Sequence, residues 1–225
     1  MGIYLLMGLV FLASWIVRQR FNSVMKSLSQ KATSSGLSGA EIAERMLADY
    51  GIHDVQVVHT GGMLTDHYNP AKRTVNLSDA VYQQRNITAA AVAAHECGHA
   101  VQHAQAYSFL QMRSALVPVV SIANRFTPWL LLGGVMLLNT FPQLLLIGVI
   151  ALAASTLFSF LTLPVEFDAS KRALAWLEKS GLTRGQEHED AAKGLRWAAG
   201  TYVVAALGSL ATLLYYASIF MRSQR

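Results

Sequence analysis

The sequence predicts a mainly α-helical integral membrane protein, in which four transmembrane helices carry a small α+β domain. Three observations lead there. Of the 225 residues, 53% are hydrophobic and only 14% are charged, far from the balance of a soluble globular chain. Residues 1 to 17, 126 to 165 and 197 to 221 hold no charged side chain, and runs of that length are measured against bilayer thickness. The Lys and Arg residues gather almost entirely in the polar segments between these runs.

Residues 1–17 read as an N-terminal transmembrane anchor. No basic residue precedes them and no small-x-small cleavage pattern comes before Arg18, so a retained span is expected rather than a cleaved signal. Residues 18–113 form the α+β domain. Within it "SQKATSSGLSGAE" is a polar linker, and "SGAEIAERMLADYG" is a short helix. Ser38 caps that helix with Glu41 three residues on, apolar residues recur at Ile42, Met46 and Leu47, and Gly51 ends it. "VQVV" and "RTVNLS" read as strands, separated by a turn in "GGML" and a break at Asn69-Pro70. The Ala-rich, Pro-free stretch 88–105 reads as a helix capped by Asn86 or Thr88, with Gly98 its one weak point.

The 40-residue uncharged run is about twice one span and carries "NTFPQ" near its middle, which predicts a helical hairpin turning at Asn139 to Pro142. Only 14 residues separate Arg125 from Thr140. The hairpin is therefore placed at 114–163, with Arg125 facing protein or snorkelling to the interface. Residues 164–196 form a helix outside the membrane, with acids in its first turn and Gly181 as a stop. Residues 197–221 form the last span.

Between the first and second spans, and between the third and fourth, lie 15 Lys and Arg residues; beyond the spans lie only Arg222 and Arg225. The positive-inside rule puts both polar segments in the cytoplasm and both termini outside. The net charge of +5 and pI near 9.5 do not mark a nucleic-acid partner, because the bases are mixed with acids and flank the spans. The single cysteine, Cys97, can form no internal disulfide and fits a reducing compartment.

The chemistry is concentrated in "AAVAAHECGHAVQHA", residues 90 to 104. On a helix His95 and His99 project from one face and can reach a single ion, and neutral imidazoles at this spacing suit zinc, one per chain. Glu96 is offset from both, so it stays off the metal and can act as a general base toward water. With 7 His and 7 Glu in the chain, His-Glu-x-x-His arises by chance about once in a hundred shuffles, and the alanines around it argue against two histidines on a solvated face.

A catalytic zinc needs a third protein ligand and an open position. His103 lies about 12 Å along the helix from His95, which leaves it a helix-end or supporting role. A metzincin would carry histidine where Gln105 stands. Glu166, in "LPVEFDASKR", is the better candidate, since a carboxylate so close to an uncharged span is costly unless paired or metal-bound. An even number of spans separates it from His95, so both reach the same membrane face. Asp168 either pairs with Arg172 at i, i+4 or supports a ligating histidine. Cys97 points to the opposite face and reads as packing. For the developing oxyanion the chain offers His67, Tyr68, Arg172 and Tyr202. Asp66 and His67 sit in a turn ahead of Pro70, and "TVNLS" could present an edge to an extended peptide or be an ordinary packed strand.

The segments "GGMLTDHYNPAKRTVNLS", "AAVAAHECGHAVQHAQAY", "MRSALVPVV" and "LPVEFDASKRAL" resemble, in order and spacing, the bacterial membrane-bound neutral zinc metallopeptidases of the YugP type. The layout is more distantly similar to the HtpX and Ste24 membrane zinc proteases. The resemblance implies a small zincin-like, gluzincin-like domain, zinc on His95 and His99, Glu96 as base and an acidic third ligand falling on Glu166. It also implies a membrane-embedded zinc endopeptidase acting on protein or peptide substrates at the cytoplasmic face. One departure is Ser170, where the glutamate-ligand zincins often carry Asp four residues after the ligand. The alternative reading is a non-catalytic zinc-binding membrane adaptor or assembly factor, which three ligands and an adjacent glutamate disfavour because structural zinc sites are usually closed by four. A transporter is disfavoured by spans without interior acids.

Overall fold

The computed structural model describes residues 2–224. In chain order it has helices and strands α1 (Gly2–Leu28), α2 (Gly39–Asp49), β1 (Gln56–His59), β2 (His67–Asn69), β3 (Thr74–Leu77), α3 (Ile87–Ala104), α4 (Ser108–Met136), α5 (Gln143–Lys179) and α6 (Gln186–Ser223). They divide into two compact units, with boundaries inside α1, α5 and α6. One comprises the chain up to Arg18, Gln111–Leu163 and the chain from Gly200; the other comprises Gln19–Leu110 and Pro164–Ala199.

The first unit is wholly helical. Among the described residues three helices, α4, α5 and α6, are long and apolar enough to cross a membrane. Glycine permits the close packing of α4 on α5, since a methyl group at Gly134 would come within 2.5 Å of the Leu145 Cα, as small residues do between helices in lipid. Polar side chains add interhelical bonds: the Ser155 hydroxyl donates to Asn124 Oδ1, and Thr156 and Ser209 pair at 2.7 Å. The turn between α4 and α5 spans residues 137–142, where Asn139 to Pro142 predict it. The first of these helices starts earlier than the expected 114. It begins at Ser108, one residue after the turn in which Ala106 takes a positive φ of 52°, so Arg113 lies inside the helix.

The second unit packs α2 and α3 with a three-stranded sheet of order β1-β3-β2, in which β3 runs parallel to β1 and antiparallel to β2. The capping box at the start of α2 forms as the sequence predicts, the Ser38 hydroxyl accepting from the Glu41 N–H while the Glu41 carboxylate accepts from the Ser38 N–H. Of the two candidate caps of α3, Asn86 takes the role by accepting from Ala89 N–H. Thr88 instead donates its hydroxyl to the Met25 carbonyl. The alanines of α3 are buried on nearly every side, together with Ile42, Met46, Val75, Leu77, Cys97, Val101 and Leu177. Small side chains let this helix run through the middle of the unit.

Of the two readings of "TVNLS", the ordinary packed strand holds: β3 is the central strand, paired on both sides, because His67–Asn69, a turn and a break by the sequence reading, forms the additional strand β2. Asp66 fastens the start of that strand by accepting from the Ser78 N–H and hydroxyl. In addition, α5 does not stop at Pro164 but continues to Lys179. A proline removes one helical hydrogen bond, yet packed helices accommodate it. The helix ends where predicted, with Gly181 at φ 71° and Leu182 N–H returning to the Leu177 carbonyl.

The Ser38 cap carries a test. Ser38→Ala is expected to destabilise α2 by about 1 kcal/mol, read as faster amide exchange at Glu41 to Ala43. The hydrogen bond from the Ser38 N–H, then that from its hydroxyl, and the charge of Arg85 hold the Glu41 carboxyl below its ordinary value. A depressed folded value means the contribution of the box is complete above the ordinary carboxylate range and vanishes as pH falls through the lowered value. Protection factors in α2, which discount the slower intrinsic exchange in acid, should therefore fall for the natural chain as pH drops below the ordinary carboxylate range, and lose that pH dependence in Glu41→Gln.

Candidate metal centre

Two elements build the site. One turn of α3 presents His95 and His99 from the same side, their rings meeting edge to face at 4.8 Å between centroids. The turn of α5 just after Pro164 presents Glu166, whose carboxylate is 2% exposed. Glycine makes the meeting possible: a methyl group on Gly98 would stand 2.6 Å from the Ala169 carbonyl oxygen. The expected weak point of α3 is therefore the place where the two helices touch.

Glu166 Oε2 lies 3.2 Å from His95 Nε2 and 3.6 Å from His99 Nε2, and the three ligand atoms all fall within 4.8 Å of one another. Two ligands about 2.0 to 2.1 Å from a tetrahedral zinc are separated by about 3.3 Å, so the two distances from Glu166 to the imidazoles fit that ion. The donor chemistry fits as well. A carboxylate buried against two imidazoles calls for a cation, because an ionised group removed from water is costly unless paired. Burial alone would lower the basicity of His99, but the hydrogen bond and charge of Glu166, with the charge of Glu96 and a bond to Gln102, outweigh it and hold His99 above its ordinary value.

Glu96 is buried beside this cluster and is not one of its three members. Its Oε2 accepts from the Tyr68 backbone N–H at 3.0 Å, so β2, the strand that the sequence reading missed, holds the carboxylate. Cys97 turns the other way and reaches the Ala43 carbonyl. Burial, with the Glu96 charge adding, pushes its thiol far up, which leaves it an inert packing group.

The remaining expected residues separate. Asp168 touches no imidazole. Its Oδ2 accepts from Arg172 Nε and from Gln102 Nε2 at 2.8 Å. Arg172 also reaches Gln105 Oε1 with Nη1 and lies over the Tyr107 ring, so its hydrogen bonds run to Asp168 and Gln105 and not to the cluster. His103 Nδ1 pairs with the Tyr68 hydroxyl at 2.7 Å, a helix-end role. His67 is exposed, with its ring on the Thr65 carbonyl. Tyr202 belongs to the other compact unit.

Two residues that sequence reasoning passed over contact the ligating rings. Ser170 Oγ stands 3.1 Å from His95 Nδ1, and Gln102 Oε1 stands 3.0 Å from His99 Nδ1. The signals were present. Ser170 occupies the place where related metalloproteases carry a supporting acid, and Gln102 is a polar residue three positions after His99 on an apolar helix.

Gly98→Ala should force α3 off α5 at a backbone contact that no side chain can relieve, at about 1 to 3 kcal/mol of overpacking. The expected outcome is purified protein with a much reduced zinc content, measured by atomic emission. Cys97→Ala, on the far face of the same helix, should keep its metal.

A family model described as "Putative neutral zinc metallopeptidase" matches residues 3–221 of the chain. A protein of Bacillus subtilis (strain 168) named "Putative membrane protease YugP" is 43% identical over 218 residues, covering 97% of this chain and 94% of that relative. No solved structure matches the chain.

Proposed function

The chain belongs to the neutral zinc metallopeptidase family, and on that premise we propose that it is a membrane-embedded zinc endopeptidase cleaving protein substrates at the cytoplasmic face. The observation that carries this reading is the convergence of His95, His99 and Glu166 with Glu96 next to them and outside the ligand set. Zinc held by those three residues would polarise a peptide carbonyl and make water more acidic. Glu96 takes a proton from the attacking water and delivers it to the leaving amine, so the C–N bond breaks with the proton balance kept. The Tyr68 N–H holds the Glu96 carboxylate in place for both transfers. The open side of a three-ligand site leaves room for the carbonyl.

The membrane setting follows from the same chain. In this reading α1 is a fourth span beside α4, α5 and α6, since it exposes Leu5, Leu9, Phe11, Leu12 and Trp15 along its uncharged part. The 15 bases between the spans put the zincin-like domain in the cytoplasm of a bacterial cell and both termini outside. Glu166 then returns to the face of His95 after the α4–α5 crossing.

Glu96→Gln should retain about one zinc per chain and lose about 10²- to 10⁴-fold in cleavage, the range of a general acid–base group. His99→Ala should lose both. Zinc analysis and casein hydrolysis by the detergent-purified chain test this. Undiminished cleavage by Glu96→Gln ends the reading.

A further inference from the structure

We propose that Gln102 is the positioning residue of the metal centre, fixing the proton of His99 on Nδ1 and joining that ring to the turn of α5 that carries Glu166. The proposal rests on the reading of His95, His99 and Glu166 as zinc ligands.

Gln102 is fully buried, 0% exposed, and its whole carboxamide is engaged. Nε2 stands 2.8 Å from the Val165 carbonyl oxygen and 2.8 Å from Asp168 Oδ2, while Oε1 faces His99 Nδ1. A carbonyl oxygen and a carboxylate only accept, so both of these positions need an N–H from the amide. Arg172 Nε donates to the same Asp168 oxygen, so that oxygen stands as an acceptor. The amide cannot be flipped without setting its oxygen against two acceptors in a buried site.

The consequence runs one step further. With its NH2 group committed to α5, Gln102 has only an oxygen to offer His99, so His99 Nδ1 must carry the proton. The lone pair then lies on Nε2, the atom 3.6 Å from Glu166 Oε2. Because Gln102 holds Val165 and Asp168, on either side of Glu166 in sequence, one side chain sets both the tautomer of an imidazole and the position of the carboxylate. His95 is held differently. Its partner Ser170 is a hydroxyl that can donate or accept and imposes no tautomer.

Zinc affinity tests this, read by competition with a chromophoric chelator on the full chain purified in detergent and stripped of metal. Gln102→Met, apolar and of similar bulk, should weaken binding about 10- to 100-fold, the usual effect of losing such a supporting bond, and Ser170→Ala should weaken it less. Gln102→Glu places a carboxylate against Asp168 and should also bind poorly. In the zinc-loaded natural chain, long-range nitrogen-15 correlation should find the His99 proton on Nδ1, a signature that a merely structural role for Gln102 does not require. Wild-type affinity in Gln102→Met or zinc on Nδ1 of His99 overturns the assignment. A natural chain that binds no zinc overturns the metal centre itself.

Discussion

The contact between α3 and α5 at Gly98 and Ala169 is the constraint on which the site depends. A carboxylate and two imidazoles can meet within hydrogen-bonding range only if their helices approach until backbone meets backbone, and a single methyl group at position 98 would occupy the space of the Ala169 carbonyl oxygen. The alanines of α3 extend the same logic along the helix. Their short side chains bring α2, β2 and β3 close, and this is how the backbone N–H of Tyr68 reaches the Glu96 carboxylate. Bulk comes from the elements around α3, in the buried Met46, Leu77 and Leu177, and α3 itself is left to small residues and to the few polar groups that use the space.

Those polar groups form connected chains with their donors matched to acceptors. On one side Tyr68 ties Glu96, the proposed general base, to β2 and, through its hydroxyl, to His103 at the end of α3. On the other, Gln102 ties His99 to Val165 and Asp168, and Asp168 passes on to Arg172 and Gln105. A buried polar network is costly when any member is unsatisfied and rigid when all are satisfied. Here the rigidity falls on the atoms whose relative positions matter.

Much of this was legible in the sequence because it is written in local patterns. The Ser38 box, the Ala-rich helix with His95 and His99 one turn apart, the hairpin turn before Gln143 and the stop at Gly181 each need only a few neighbouring residues to be read. Glu166 was singled out as a carboxylate costly beside an uncharged span unless paired or metal-bound, with an even number of expected crossings as a check on its face. What escaped depends on partners remote in sequence. His67–Asn69 is too short and too polar to announce a strand, and it is one because β3 and Glu96 receive its backbone groups. Gln102 carries no motif, and only the juxtaposition of α5 shows that its amide has one permitted orientation. Pro164 pointed the wrong way, since in a packed helix it costs one hydrogen bond and not the helix.

Asp168 shows why a residue near a ligand need not act on it. It was weighed either as an ion-pair partner of Arg172 or as support for a histidine, and it serves both ends at once, with Gln102 interposed. The difference matters electrostatically. A carboxylate bonded directly to an imidazole adds negative charge to the ring and raises its basicity, whereas an amide oxygen transmits orientation with little charge, and Arg172 balances the acid behind it. On the His95 side the hydroxyl of Ser170 occupies the place where an acid often stands, so neither imidazole has a carboxylate behind it. The negative charge of the ligand set is thus carried by Glu166 alone, with Glu96 beside it. A cation held there would keep more of its electron-withdrawing power than one whose histidines each lean on an acid, and the neutral groups behind both rings, Ser170 and Gln102, are what would allow it.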